Sequence, residues 1–164
     1  MRVVVQRVKE ARVTLEDGSV VASTGPGVVA LVGVEHGDAR PDVEWMAEKL
    51  AGLRIFEDDQ GRLNRSVQEA GGSILLVSNF TVAGECRKGR RPSFDRAAAR
   101  EQARRVMEQL EEAVRRRGIP VATGSFGASM QVMLVNDGPV TLVVETPPKA
   151  VTAGAQLDGP SKGR

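Results

Sequence analysis

Short apolar runs punctuated by glycine and proline make up most of the chain, and helical periodicity occurs in two places. Arg2 to Val8 and Arg12 to Leu15 are expected to be strands, the second alternating polar and apolar residues. Asp17-Gly18 predicts a hairpin turn into a strand from Val20 to Ser23. After Gly25-Pro26-Gly27 the run VVALVGV has strand length and no alternation, the pattern of a buried strand. Pro41 opens a helix with Asp42 and Glu44 in its first turn and Val43, Met46, Ala47 and Leu50 on one face. FEDDQGRLN is a turn-rich connection, and Ser73 to Phe80 within GGSILLVSNFTV predicts another buried strand.

The helical period returns over Asp95 to Arg117. Ala99, Ala103, Val106, Met107, Leu110 and Val114 form its buried stripe, arginines crowd its C-terminal end, and Gly118 and Pro120 stop it. Strands then continue through residue 145. Met130 to Val135 and Val140 to Val144 both read as strands. Asn136-Asp137-Gly138 between them invites a hairpin, but Pro139 removes an N–H where the second strand would begin. The order, roughly β-β-β-β-α-β-α-β-β, predicts an α+β fold in which two long helices cover one face of a mixed or antiparallel sheet. Residues 1–146 are expected to form one domain. Residues 147–164 lack apolar periodicity and are expected to be a disordered tail.

Composition narrows the chemistry. The chain has 164 residues, of which 41% are hydrophobic, enough for a real core. Its 23 basic and 21 acidic side chains nearly balance, so net charge alone points to no partner. One cysteine, Cys86, excludes an intrachain disulfide and fits a reducing cytoplasm. No signal sequence is evident, and no apolar run approaches the roughly 20 residues of a membrane span, so no membrane partner is expected. The single histidine, His36, reads as an ordinary loop residue, and one Cys with one His cannot make a zinc site of that type. No metal or cofactor is expected.

Three segments could carry chemistry. Ser78, Asn79 and Thr81 interrupt a hydrophobic strand. Alternation would put Asn79 and Thr81 on one face, and Ser78 with Phe80 on the other. Such a strand end could orient a substrate and offer backbone N–H groups to an oxyanion, or it could simply satisfy its own backbone. Arg87, Lys88, Arg90 and Arg91 put four cations into five positions, suited to phosphate or to a solvated loop. Phe94 would anchor that loop. Gly138-Pro139 is either an edge-strand turn or a stiff wall of backbone carbonyls.

Taken together, QRV at 6–8, GGSILLVSNFTV, RPSF at 91–94 and NDGPVT at 136–141 resemble the D-aminoacyl-tRNA deacylases, also called D-tyrosyl-tRNA deacylases, in order and with fitting spacing across residues 1 to 146. The resemblance implies a homodimer with active sites at the subunit interface. Its reaction would be hydrolysis of the ester joining a D-amino acid to the terminal adenosine of tRNA. Ser78, Phe80 and Thr81 match the family's serine-glutamine-phenylalanine-threonine motif, and Asn79 stands where glutamine is usual. These four are the implied catalytic residues.

Asn136, Gly138 and Pro139 match an asparagine-x-glycine-proline motif whose Gly-Pro bond is cis in the family. There its carbonyls reach the partner's active site and reject L side chains. Met130 is assigned with them to substrate binding. Glycyl-tRNA is an expected secondary substrate, because glycine has no side chain to exclude. Two alternatives remain open from sequence: an L-alanyl-tRNA editing deacylase on the same fold, or a tRNA-binding module without catalysis.

Overall fold

The computed structural model describes residues 1–148. Eight strands and two long helices follow one another as β1 (Arg2–Leu15), β2 (Val20–Thr24), β3 (Gly27–Gly33), α1 (Arg40–Gly52), β4 (Phe56–Glu57), β5 (Leu63–Arg65), β6 (Ser73–Ser78), α2 (Arg100–Arg115), β7 (Val121–Thr123) and β8 (Met130–Glu145). A 3-10 helix, Phe80–Ala83, follows β6 directly. The expectation of a tail from residue 147 falls almost wholly outside the described residues.

The main sheet runs β2-β1-β3-β6-β7, with β8 on the other edge of β1. Pairings β1–β2, β1–β3 and β1–β8 are antiparallel, whereas β3–β6 and β6–β7 are parallel, so the sheet is mixed. β1 is one strand of 14 residues rather than the two expected. Its first half pairs with β3 and its second half with β2. The hairpin at Asp17-Gly18 is present, with Gly18 at φ +81°.

Alternation along β3 and β6 sorts two cores. Val28, Ala30, Val32, Ile74 and Leu76 face α1 and α2, where Met46, Leu50, Leu110 and Val114 meet them. Val29, Leu75 and Val77 face the opposite way, onto Val8, Ala11, Val13 and Ala22 of the curled β1–β2 unit. The helices therefore cover one face, as the pattern predicts, and the sheet's own curl covers much of the other. α2 starts at Arg100, five residues later than expected. The preceding chain is held as loop because Ala98 donates to Val34 O at 2.9 Å and Ala97 bridges Glu35. Ala99 consequently lies outside the buried stripe, which Ala113 joins instead.

The expected hairpin at Asn136–Pro139 does not form. Both flanks pair with β1, not with each other: Met130–Val135 lies along Leu15 to Glu10, and Thr141–Glu145 along Gln6 to Arg2. Asn136 and Thr141 oppose Val8 and Gln6, so the residues between them bulge out of one continuous strand. Long-range pairing to β1 overrides the local turn signal.

Candidate functional site

β6 ends at Ser78, and the chain turns at once. The Asn79 N–H donates to Val32 O at 2.8 Å, and Phe80–Ala83 then winds as a 3-10 helix. The expected strand through Phe80 is thus cut short, and with it the assignment of Asn79 and Thr81 to one strand face. Asn79 Oδ1 instead accepts from Thr81 N–H at 3.2 Å and from Thr81 Oγ1 at 2.5 Å. The side chain closes the turn that the strand pattern could not foresee. Gly33 makes room for it: a Cβ there would stand 2.8 Å from Ala83 N and 3.1 Å from Val82 Cβ. Gly33→Ala is therefore expected to shift the 3-10 helix, costing about 1–3 kcal/mol of stability. The check is a denaturant midpoint together with turnover, and an unchanged pair would show that the turn yields freely.

Beside this turn lies a cavity of about 720 Å³. Ser78, Asn79 and Phe80 form one wall, Met130, Val132 and Leu134 of β8 another, and Arg100, Phe126 and Gly127 complete it. Ser78, Asn79, Phe80 and Met130 thus line one cavity, and Thr81 adjoins them through Asn79. Backbone donors here are scarce. Asn79 N–H goes to Val32 O, Thr81 N–H to Asn79 Oδ1 and Val82 N–H to Asn79 O. Among the described residues only the Phe80 N–H in this turn has no acceptor. The Phe80 side chain is exposed and meets Phe94 edge-on, ring centroids 5.2 Å apart. Phe94 therefore docks the basic loop onto the 3-10 helix rather than onto the core.

Sequence reasoning missed Arg100 and Phe126. Arg100 sits on α2 at the cavity wall, and Arg104 lies 4.7 Å over the Phe126 ring. Neither belongs to a local motif. They converge only because β7 and the following loop bring Phe126 against α2. His36 is exposed on the loop after β3 and is not among the cavity residues.

The bulge at Gly138-Pro139 is not in this cavity. Its peptide bond is cis. The Asn136 side chain closes it, Nδ2 donating to Thr141 Oγ1 at 2.8 Å and Oδ1 accepting from Val140 N–H at 3.2 Å. From beneath, the buried Arg7 guanidinium donates to Asp137 O at 3.3 Å and Ile55 O at 2.7 Å, and pairs with Asp137 Oδ2 at 3.2 Å. Gly138 and Pro139 themselves remain exposed. Arg7 is a third omission. Its signal was an arginine in line with the buried Val3 and Val5, a charge on a core-facing position that needs a partner.

In the basic loop, Gly89 turns at φ +68° and Glu85 pairs across with Ser93. Arg87 is committed to Glu85 at 3.0 Å. The Arg87 backbone N–H, more than its guanidinium, holds the Glu85 carboxyl below the usual carboxylate range. Lys88, Arg90 and Arg91 are exposed without an ion-pair partner among the described residues. No group of three or more potential metal ligands occurs among those residues.

Comparison with known proteins gives a consistent picture. Residues 4–145 match the D-Tyr-tRNA(Tyr) deacylase family. A Geobacter sulfurreducens protein named D-aminoacyl-tRNA deacylase is 56% identical over 146 residues, 89% of this chain and 95% of its own. A Thermomicrobium roseum protein of the same name is 53% identical over 158 residues, 96% of this chain and 100% of its own. Among solved structures, one described as a c-Myc DNA unwinding element binding protein aligns with a TM-score of 0.85 at 39% identity, covering 90% of this chain and 100% of the other. A probable eukaryotic D-amino acid tRNA deacylase shares the fold, with a TM-score of 0.72 at 20% identity over 87% of this chain and 97% of its own.

Proposed function

This chain belongs to the D-Tyr-tRNA(Tyr) deacylase family and is a D-aminoacyl-tRNA deacylase, and we propose that it cleaves the ester in the cavity beside Phe80. The observation that carries this reading is the Phe80 N–H, the one backbone donor of the turn without an acceptor among the described residues. An ester carbonyl placed against it gains a hydrogen bond as the tetrahedral oxyanion develops. The aminoacyl ester is intrinsically labile, so orientation plus this donor supplies much of what the reaction needs, and no histidine base is required. Water attacks, a neighbouring ribose hydroxyl of the substrate assists the proton transfers, and Thr81 orients the bound ester. The products are free D-amino acid and tRNA, a chiral proofreading step in translation. Glycyl-tRNA is a secondary substrate in this reading.

Homodimerisation in the cytoplasm belongs to the same proposal. Among the described residues β8 pairs only with β1, and exposes Val132, Met133, Val135, Leu142 and Val143. The Gly138-Pro139 bulge lies outside its own protomer's cavity, which supports its action as a chiral wall in a partner's. Deacylation of D-Tyr-tRNA, L-Tyr-tRNA and L-Ala-tRNA tests the whole reading. Loss of the D-ester alone is expected. Hydrolysis of L-Ala-tRNA would favour an L-alanine editor, and binding without turnover a tRNA-binding module.

The free cations of the basic loop are assigned to tRNA phosphate, with Arg87 held back by Glu85. Changing Arg90 and Arg91 to glutamine is expected to weaken tRNA binding and flatten its dependence on log salt by roughly one to two units. An unchanged slope in a salt titration would remove the loop from the interface.

A further inference from the structure

We infer that Asn79 is a positioning residue that acts through Thr81, an assignment that rests on the deacylase reading above. Asn79 is anchored before its side chain turns. Its backbone is extended, φ −143° and ψ 92°, and its N–H is spent on Val32 O of the neighbouring strand. Oδ1 then accepts two hydrogen bonds from one residue, Thr81 N–H at 3.2 Å and Thr81 Oγ1 at 2.5 Å. The first closes the turn that starts the 3-10 helix, as short amide side chains do. The second fixes where the hydroxyl proton points.

That second bond has chemical consequences. A hydroxyl carries one proton and two acceptor lone pairs. Having donated to Asn79, Thr81 Oγ1 meets a substrate as an acceptor only. A threonine nucleophile would have to surrender that proton to a base, and a carboxamide oxygen is not one. The arrangement therefore suits Thr81 to hold a donor of the substrate, of which an aminoacyl ester offers two, its ammonium group and the free ribose hydroxyl. The side-chain length matters too. Glutamine, which the family resemblance implies at this position, carries its oxygen one methylene further from the backbone, whereas the turn here is closed by the shorter amide. Asparagine here is a device for fixing Thr81 rather than a shortened reach toward substrate.

Asn79→Ser keeps an acceptor able to close the turn, whereas Asn79→Ala removes it. With D-Tyr-tRNA as substrate, Asn79→Ala is expected to lower kcat roughly tenfold while KM moves less than about twofold, and Asn79→Ser to recover most of that loss. Amide hydrogen exchange at Thr81 should quicken in Asn79→Ala and stay slow in Asn79→Ser. In a Thr81→Val background, Asn79→Ala should add little, because the hydroxyl it acts through is gone. Additive losses, or Asn79→Ser as poor as Asn79→Ala with Thr81 exchange unaltered, would overturn the assignment. An inactive wild type would overturn the deacylase reading itself, and is seen before any variant is made.

Discussion

Arg7→Ala is expected to cost both stability and chiral discrimination. Arg7 is 6% exposed, and its guanidinium sits directly beneath the Gly138-Pro139 bulge, bonded to Asp137 O, Asp137 Oδ2 and Ile55 O. Truncation takes the guanidinium from the Asp137 and Ile55 carbonyls and leaves the part-exposed Asp137 carboxylate with Lys9 at 3.8 Å as its remaining ion-pair partner among the described residues. Leaving buried carbonyls without their donor costs about 1–3 kcal/mol, which for a domain of this size lowers Tm by roughly 2–12 °C. The same loss frees the bulge, so the ratio of D-Tyr-tRNA to L-Tyr-tRNA hydrolysis should fall. Arg7→Lys keeps the charge but not the fork of donors and should fall between.

Gly138→Ala reaches the same contact from above. Its φ of +116° suits glycine, and a Cβ would lie 2.9 Å from Arg7 Nη2. It should mimic Arg7→Ala in selectivity with the arginine still present. Calorimetry and paired deacylation assays decide the matter. An Arg7→Ala protein with unchanged Tm and unchanged selectivity would leave the bulge supported by something else.

The second large effect lies at the other end of β1. The Met1 ammonium is fully buried and donates to Asp38 Oδ1 at 2.7 Å, Thr146 Oγ1 at 2.8 Å and Glu35 Oε2 at 3.2 Å. Asp38 also accepts from the Glu35 N–H at 2.7 Å, so one carboxylate joins the start of β1 to the loop after β3. Asp38→Ala leaves a buried cation with Glu35 as its remaining carboxylate partner. A loss of about 3 kcal/mol is expected. Asp38→Asn, which keeps the shape but not the charge, should lose less. Urea unfolding gives the measurement, and a midpoint equal to wild type would mean that Glu35 and Thr146 suffice.

Much of the fold was legible because its signals are local. The unbroken apolar run at 28–34 announced a strand buried on both faces, and Val29 and Ala30 do sit in opposite cores. The stripe Val106, Met107, Leu110 and Val114 announced α2. The candidate residues were legible as a set of short motifs, and Ser78, Asn79, Phe80 and Met130 do line one cavity. Errors arose where a strand or turn pattern competes with a hydrogen-bond partner that the pattern does not register, whether distant or two residues away. Asn-Asp-Gly favours a turn, yet β1 is long enough to pair with both flanks and turns the segment into a bulge. The strand period ran on to Phe80, yet the Asn79 amide captured Thr81 and ended it.

By itself, then, the sequence determined which stretches are strand or helix, which face of each is buried, and which short segments carry polar groups worth watching. Those follow from side-chain size, periodicity and backbone preference, all of which act within a few residues. The tertiary structure alone decided that the Phe80 N–H is left over, that Arg7 underlies Gly138, and that Arg100 and Phe126 wall the cavity. Each depends, at least in part, on a hydrogen bond or contact between residues far apart in the chain, such as Asn79 N–H to Val32 O. Satisfying buried polar groups is a property of the whole packed molecule, because a donor or carbonyl is spent or spare only once every neighbour has taken its place.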